Sequence, residues 1–575
     1  MDVLEDRLSP ILRQAVDRLT AAGPPPPAAE DEGRAGAVHE AVADGFLRWE
    51  IPRDPSFGDL SNAVAFKLAA RRKQPPQRLA EELSAAFLLC CKEAGLGAWI
   101  DRIEAKAGFL NVFLAQHALT EVLRTILRQR GRFGRSRQGQ RRAINIEFVS
   151  ANPTGPLSVA HGRQAAVGDV LARLLRSRGY RVTTEYYLND KGRQIELLGK
   201  SEKARYLQTL GRPVPFPEDG YHGLYVTNSA EQLVKTRGDQ LAAEPDSYFA
   251  DFAMREQLDE IQRVLKRFGL KFDKWKSQRR LERSGRVKRA LAALQQRGAL
   301  YEAEGAQWFA SMKFGDDKDR VIRKGDGELT YLAPDIAYHQ WKYQRGYDQI
   351  INLWGPDHHG YIARVKAAMT ALGLPAERLV IRIVQLVTLS RKGTPVPMSK
   401  RQGEFVTFEE ILNEVGVDAT RFFYLMRTME SHLDFDLDLA KSQSQENPVY
   451  YVQYAHARIC SILRKSSLPW WMTLRPDLGL LRAPEEQLLV RWLFQYPIVL
   501  RICATSLEPH GVTVYLRKLA ESFHVFYTKC RVINDDRRLS AARLALVRAT
   551  RMVFENGLEI LGVSTPDRME RSDEP

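Results

Sequence analysis

The sequence predicts an α/β fold built on a parallel sheet and followed by an all-helical C-terminal unit. Three observations carry that expectation. Residues 143 to about 440 alternate strand-like and helix-like patterns. Inside that span, residues 143–149 alternate as a strand. Residues 164–178 then repeat Val167, Val170, Leu171, Leu174 and Leu175 at helical spacing, and residues 181–187 resume a strand pattern, completing a β-α-β unit. From about 445 to 575 only helices are expected, over residues 450–464, 485–507, 514–530 and 540–561, which predicts a bundle.

At ~100–200 residues per domain, 575 residues hold roughly three to five domains. With 44% apolar residues, a sizeable core is available. A net charge of +15 points to an anionic partner, nucleic acid first, or to an ordinary basic surface. Cys90, Cys91, Cys460, Cys503 and Cys530 form no CxxC pair, so buried free thiols in a reducing compartment are expected. The first residues, MDVLEDRLSP, carry no hydrophobic signal core, and no apolar run is read as long enough to span a bilayer. A cytoplasmic protein without membrane contact is expected.

The first unit, residues 1–120, opens with a helix over residues 3–19, breaks at Pro24–Pro27 and contains IPRDPSFGDLSN at 51–62. Residues 121–142 are a basic linker. Between Arg128 and Arg142 lie seven arginines and no acid, which suits phosphate contact or a solvated connection. The loop after the first strand of the α/β region is the most informative stretch: EFVSANPTGPLSVAHGR, residues 147–163. A strand, a Pro/Gly loop and a helix start expose backbone N–H groups and the positive helix end to an anion. Further on, TYLAPDIAYH (330–339) places Tyr331 and Asp335 four apart, on one helical face. WGPDHHGY (354–361) has adjacent histidines, which do not share a helix or strand face, and no metal site is expected there. VPMSKRQG (396–403) is a cationic loop suited to stabilising phosphoryl charge.

These strings resemble arginyl-tRNA synthetases of the bacterial type, a class I aminoacyl-tRNA synthetase family. Its first ATP signature reads EFVSANPTGPLHVGHGR, and its mobile-loop form is KMSKR-AG. NDKGRQ (189–194), NPVYYVQYAHAR (447–458), ESFHVFY (521–527) and NGLEILGV (556–563) match the same family, so the resemblance covers the chain in order. It implies a Rossmann-type catalytic domain (143–440), an N-terminal α+β additional domain that meets tRNA, and an all-α anticodon-binding bundle (441–575). It further implies ligation of L-arginine to tRNA(Arg) through an arginyl-adenylate, with ATP entering alongside Mg²⁺, no permanently bound cofactor, and a monomer. The first step is expected to need bound tRNA.

By resemblance, Pro153, Thr154, Gly155, Pro156, Ala160, His161 and Gly162, with Met398, Ser399 and Lys400, bind ATP. His161, Ser158 and Lys400 are the catalytic positions. Glu147, Ser150, Asn152, Gln278, Tyr331 and Asp335 bind arginine. Four positions depart from the pattern. Ser158 stands for the first signature histidine, Ala160 for glycine, Pro397 for the first loop lysine, and Gln278 for a glutamate that meets the guanidinium. Arg279 and Arg280, if either pointed inward, would oppose arginine. These departures motivate an alternative: a tRNA-binding paralogue with weakened or lost activity.

Overall fold

The computed structural model describes residues 4–21, 47–52, 54–396 and 406–569. The Pro24–Pro27 break lies outside the described residues. So does the loop carrying Pro397, Met398, Ser399, Lys400, Arg401, Gln402 and Gly403.

The N-terminal unit packs α1 (Leu4–Ala21), α2 (Val64–Arg72) and α3 (Pro76–Glu93) with an antiparallel sheet. Its strands β1 (Leu60–Asn62), β2 (Ile100–Lys106) and β3 (Phe109–Leu114) pair in the order β1-β3-β2. Leu8 and Leu12 of α1, with Leu83 and Phe87 of α3, are fully buried and belong to a hydrophobic core continuous with that of the rest of the chain. Helix α4 (Gln116–Gln129) then leads into the basic segment. That segment is anchored to the C-terminal helices: Asn556 donates to the carbonyls of Arg130 and Phe133 at 3.0 and 3.2 Å.

The α/β unit follows the alternation read from the sequence. Strand β4 (Ala143–Glu147) leads to α5 (Val159–Ser177) and β5 (Arg181–Leu188). Helices α6 (Arg193–Thr209), α7 (Leu224–Arg237) and α8 (Asp246–Arg267) intervene before β6 (Lys274–Ser277). Next come α9 (Gln278–Arg283), α10 (Arg286–Gln296) and a small antiparallel sheet of β7 (Leu300–Ala303), β8 (Ala306–Phe309) and β9 (Arg320–Arg323). Helix α11 (Leu332–Gln344), β10 (Gln349–Trp354), α12 (Tyr361–Ala371) and β11 (Leu379–Ile383) complete the main sheet. Beyond it lie β12 (Val387–Arg391), β13 (Thr394–Pro395), α13 (Phe408–Tyr424), β14 (Leu433–Asp436) and α14 (Leu437–Lys441).

The main sheet is parallel, in the order β11-β10-β4-β5-β6. From β4 the chain runs outward through β5 to β6, then returns to lay β10 on the other side of β4. Strand order therefore reverses between β4 and β10, and a crevice opens at their carboxyl ends. All five residues of β4 are buried, as expected of a strand covered on both faces.

Helix α5 lies on that strand without room to spare. A Cβ at Gly168 would sit 2.2 Å from the ring of buried Phe148. Gly168→Ala therefore overpacks the contact and should lower stability by about 1–3 kcal/mol, read as an earlier urea midpoint. An unchanged midpoint would show that the helix can move away at no cost.

Helices α15 (Pro448–Lys465), α16 (Pro484–Ser506), α17 (His510–Lys529) and α18 (Arg537–Leu561) form the predicted bundle. Arg421 of α13, 1% exposed, ties it to the α/β unit. Its guanidinium donates to Asp169 at 2.7 Å and to the carbonyls of Leu561 and Phe268, both at 3.1 Å. One sequence expectation needs correcting. Helix α16 is long and apolar enough to cross a membrane by length and composition. Most of its apolar window is buried inside the bundle, which accounts for that character as packing. All five cysteines are buried and unbridged.

Candidate active site

The crevice holds a cavity of about 360 Å³ between the loop after β4 and the segment after β10. One wall is the signature loop. At its start, the Ser150 N–H donates to the Phe148 carbonyl at 2.9 Å across Val149, whose φ is 66°. A β-branched residue at positive φ is strained, and such strain persists only where neighbours hold it. Ser150 supplies that hold: its hydroxyl donates to Glu147 Oε1 at 3.2 Å and accepts the Tyr187 N–H at 3.0 Å. Asn152 is fixed from both ends, donating to Gln194 at 2.6 Å and accepting from Asn189 at 2.7 Å. Tyr225 of α7 donates to the Thr154 carbonyl at 2.7 Å.

Ser158 is the N-cap of α5, whose first turn carries no acid to offset its positive end. The Ser158 N–H donates to His161 Nδ1 at 3.1 Å, and its hydroxyl lies 3.1 Å from the same nitrogen. Because Nδ1 accepts, the ring proton sits on Nε2. Ser158 thus orients the remaining histidine. Its backbone also pairs with Thr407, and the Phe408 N–H donates to the Leu157 carbonyl at 2.7 Å. The first signature is therefore joined to the residues that follow the cationic loop. Arg163, fully buried, extends the scaffold through bonds to the carbonyls of Gln385, Ser431 and Thr428 at 2.8–2.9 Å.

The opposite wall is acidic. Parallel register sets Asn352, Glu147 and Glu185 side by side across β10, β4 and β5. Helix α11 answers this row with Tyr338, Lys342 and Arg345. Lys342, fully buried, pairs with Glu147 and donates to Asn352 at 2.8 Å. Arg345 forks onto Glu185, and the Tyr338 hydroxyl donates to that carboxylate at 2.6 Å. Burial alone would raise the Glu185 pKa, but Arg345 and Lys342 reverse the shift and hold it low. Asn352 donates to His339 Nε2 at 2.8 Å, and His339 Nδ1 donates to the Asp335 carbonyl at 2.8 Å. Burial, then Lys342, lowers the His339 pKa to about 4, so the ring stays neutral. The Asp335 carboxylate has no hydrogen bond among the described residues. Burial first and Glu147 second push its pKa up to about 7.

The cavity brings together Glu147, Ser150, Asn152, Ser158, Ala160, His161 and Asp335 from the sequence expectations. Thr154, Gly155 and Pro156 line an adjoining cavity that also meets Ser158 and His161. Gly162 packs behind the loop, where a Cβ would fall 2.5 Å from the Phe408 ring. Pro153 lines neither cavity, and two residues expected to bind arginine, Tyr331 and Gln278, are not brought into the first. Tyr331 opens α11 with helical backbone angles, and its carbonyl accepts the Asp335 N–H at 3.4 Å, so the two share a helical turn; its side chain is 63% exposed and lies outside the cavity lining. Gln278 is buried outside the cavity lining and donates to Glu282 at 3.0 Å. Arg279 pairs with Asp251 at 2.7 Å and Arg280 is exposed, so neither faces the acids. Lys342, Asn352 and Arg163 were missed by sequence reasoning. The spacing Asp335, His339, Lys342 on a largely buried helix was the available signal.

Among the described residues, one group of three metal-type side chains comes together, at His456, Cys460 and Asp567 in the bundle. There the thiol donates to Asp567 at 3.2 Å and lies 3.9 and 3.8 Å from the two ring nitrogens of His456. These bonds secure the C-terminal segment to α15.

Three family models match the chain: "Arginyl tRNA synthetase N terminal domain" over 34–114, "tRNA synthetases class I (R), catalytic domain" over 122–430, and "DALR anticodon binding domain" over 452–569. The arginine–tRNA ligase of Carboxydothermus hydrogenoformans is 45% identical over 529 residues, covering 90% of this chain and 94% of the relative. A putative arginyl-tRNA synthetase structure from Campylobacter jejuni matches with a TM-score of 0.74 and 34% identity, covering 79% of this chain and all of that one. The Thermus thermophilus arginyl-tRNA synthetase structure has the same fold, with a TM-score of 0.74 at 24% identity, covering 98% of this chain and all of that one.

Proposed function

The chain belongs to the arginyl-tRNA synthetase family, and we propose that it is a working arginine–tRNA ligase whose chemistry runs in the cavity between β4 and β10. It joins L-arginine to tRNA(Arg) with ATP, releasing AMP and pyrophosphate. The observation that carries this reading is the pairing, in one cavity, of a phosphate-binding helix start with an unsatisfied carboxylate. ATP, entering as its magnesium complex, lies along residues 153–156 and the α5 N-terminus, with His161 Nε2–H as a phosphate donor. Asp335 receives the guanidinium, and Glu147, Ser150 and Asn152 hold the amino-acid end. The arginine carboxylate attacks the α-phosphate in line and pyrophosphate departs, its charge stabilised by Lys400 as the resemblance implies. The terminal ribose hydroxyl of the tRNA then attacks the adenylate carbonyl and AMP leaves.

The departures from the family pattern are compatible with activity. Ser158 keeps His161 in the donor tautomer. Gln278 is bonded to Glu282 and does not line the cavity, so the guanidinium charge is assigned to Asp335. The protein is proposed to act as a cytoplasmic monomer, with the C-terminal bundle reading the anticodon.

Pyrophosphate exchange with arginine, ATP and cognate tRNA tests the reading. The natural chain should exchange, and His161→Ala should lower kcat about 10²-fold, the loss of one preorganised donor. A natural chain that binds tRNA yet shows no exchange is the non-catalytic paralogue instead.

A further inference from the structure

Tyr187 is a buried polar group for which the fold supplies no use. It lies on β5, is 6% exposed, and lines the cavity beside Asp335 and Glu147. Its ring stacks on Tyr338 with centroids 4.0 Å apart, and its backbone N–H is bound by Ser150. Position and orientation are therefore fixed, yet its hydroxyl has no hydrogen-bond partner among the described residues. The neighbouring polar groups behave otherwise: Tyr338, Ser150, Asn152, Lys342 and Asn352 all make bonds. A buried hydroxyl left alone is costly and calls for an explanation. Its surroundings are acidic. Burial first, then Asp335, Glu147, Glu282 and Asp190, push its pKa above the usual phenol range.

A guanidinium offers five N–H donors in a plane, and a carboxylate fork satisfies two of them. A phenol oxygen beside that carboxylate can accept another. Resting on the ligase reading, we propose that Tyr187 is a specificity-determining residue of the guanidinium site, its hydroxyl oxygen accepting one guanidinium N–H alongside Asp335.

Tyr187→Phe keeps the stacked ring and removes only the hydroxyl. Arginine Kd by calorimetry and arginine KM in pyrophosphate exchange should both rise about 5- to 30-fold, with the KM values for ATP and tRNA unchanged. The thermal midpoint without arginine should be equal to or above that of the natural protein, since an unpaired buried group has gone. That combination of weaker binding and undiminished stability is one a structural hydroxyl would not give. Arginine Kd within twofold of the natural value, or a lower midpoint with all three KM values raised together, would overturn the assignment. If the natural chain shows no exchange while Tyr187→Phe still weakens arginine binding, the ligase reading falls and the pocket assignment stands.

Discussion

Asp335→Asn should lower kcat/KM for arginine by about 10³-fold, because truncating one partner of a buried charge pair costs about 2–5 kcal/mol. The residue is suited to a cationic ligand because its carboxylate has no hydrogen bond of its own among the described residues. Its raised pKa, about 7, records how poorly the site tolerates that charge without a counter-ion. The groups facing it are Glu147 and Tyr187 on the acidic side, and Arg364 and Lys342 on the basic side. Arginine needs the ionised form. Its KM should therefore be flat above about pH 8 and rise about tenfold per unit below about pH 7, while Asp335→Asn should show no such inflection. The stability sign is opposite to that of an ordinary salt-bridged aspartate. Between an unfolded pKa near 3.9 and a folded value of about 7, the folded protein holds the extra proton. This group's contribution to stability is thus greatest below that window and declines as pH rises through it. Arginine binding restores what is lost. At pH 8, without arginine, Asp335→Asn should unfold in urea no earlier than the natural protein. A variant with intact kcat/KM, or an arginine KM that ignores pH between 6 and 8, would remove Asp335 from the site.

The same residue shows how far the sequence could be read. Strands β4 and β10, helix α5 and the bundle were legible because their patterns are local: apolar runs, helical spacing, and a Pro/Gly loop between a strand and a helix. Asp335 was legible through its motif. Its partners were not, since Lys342 reaches Glu147 across 195 residues and Tyr338 reaches Glu185 across 153. Those pairs depend on the register of β4 against β5 and on the face α11 turns to the sheet, which no local window contains. Tyr331 shows a different limit. Its backbone is helical and the i, i+4 relation to Asp335 holds, but spacing alone does not say whether an exposed ring at a helix start reaches the cavity. For Gln278, a change in motif charge could be seen, but the turn of the side chain toward Glu282 could not. Ser158 looked like a missing histidine. Its place at the helix cap, which lets it orient His161, emerges only with the backbone in view.

Lys342→Met should cost about 3–5 kcal/mol of stability, the usual penalty for leaving a buried charge without its partner. Glu147 and Glu185 are register neighbours on adjacent parallel strands, and their proximity is tolerated because α11 supplies one cation to each. Without Lys342, Arg345 alone faces two carboxylates, and the Asn352 oxygen loses its donor. The chain Lys342–Asn352–His339–Asp335 also breaks at its first link, which loosens the backbone that carries Asp335, the proposed guanidinium acceptor. Stability and arginine binding should therefore fall together. The double variant Lys342→Met, Glu147→Gln separates the two effects. Removing the stranded charge should return part of the stability, since replacing both partners costs far less than removing one. Arginine affinity should stay low, because the amino-acid end has lost its acid and Asp335 its support. Urea midpoints and arginine calorimetry on the two single variants and the double form a closed cycle. Additive stability losses in that cycle would mean that Lys342 and Glu147 do not stabilise each other, and the pair would then be an accident of packing rather than the floor of the site.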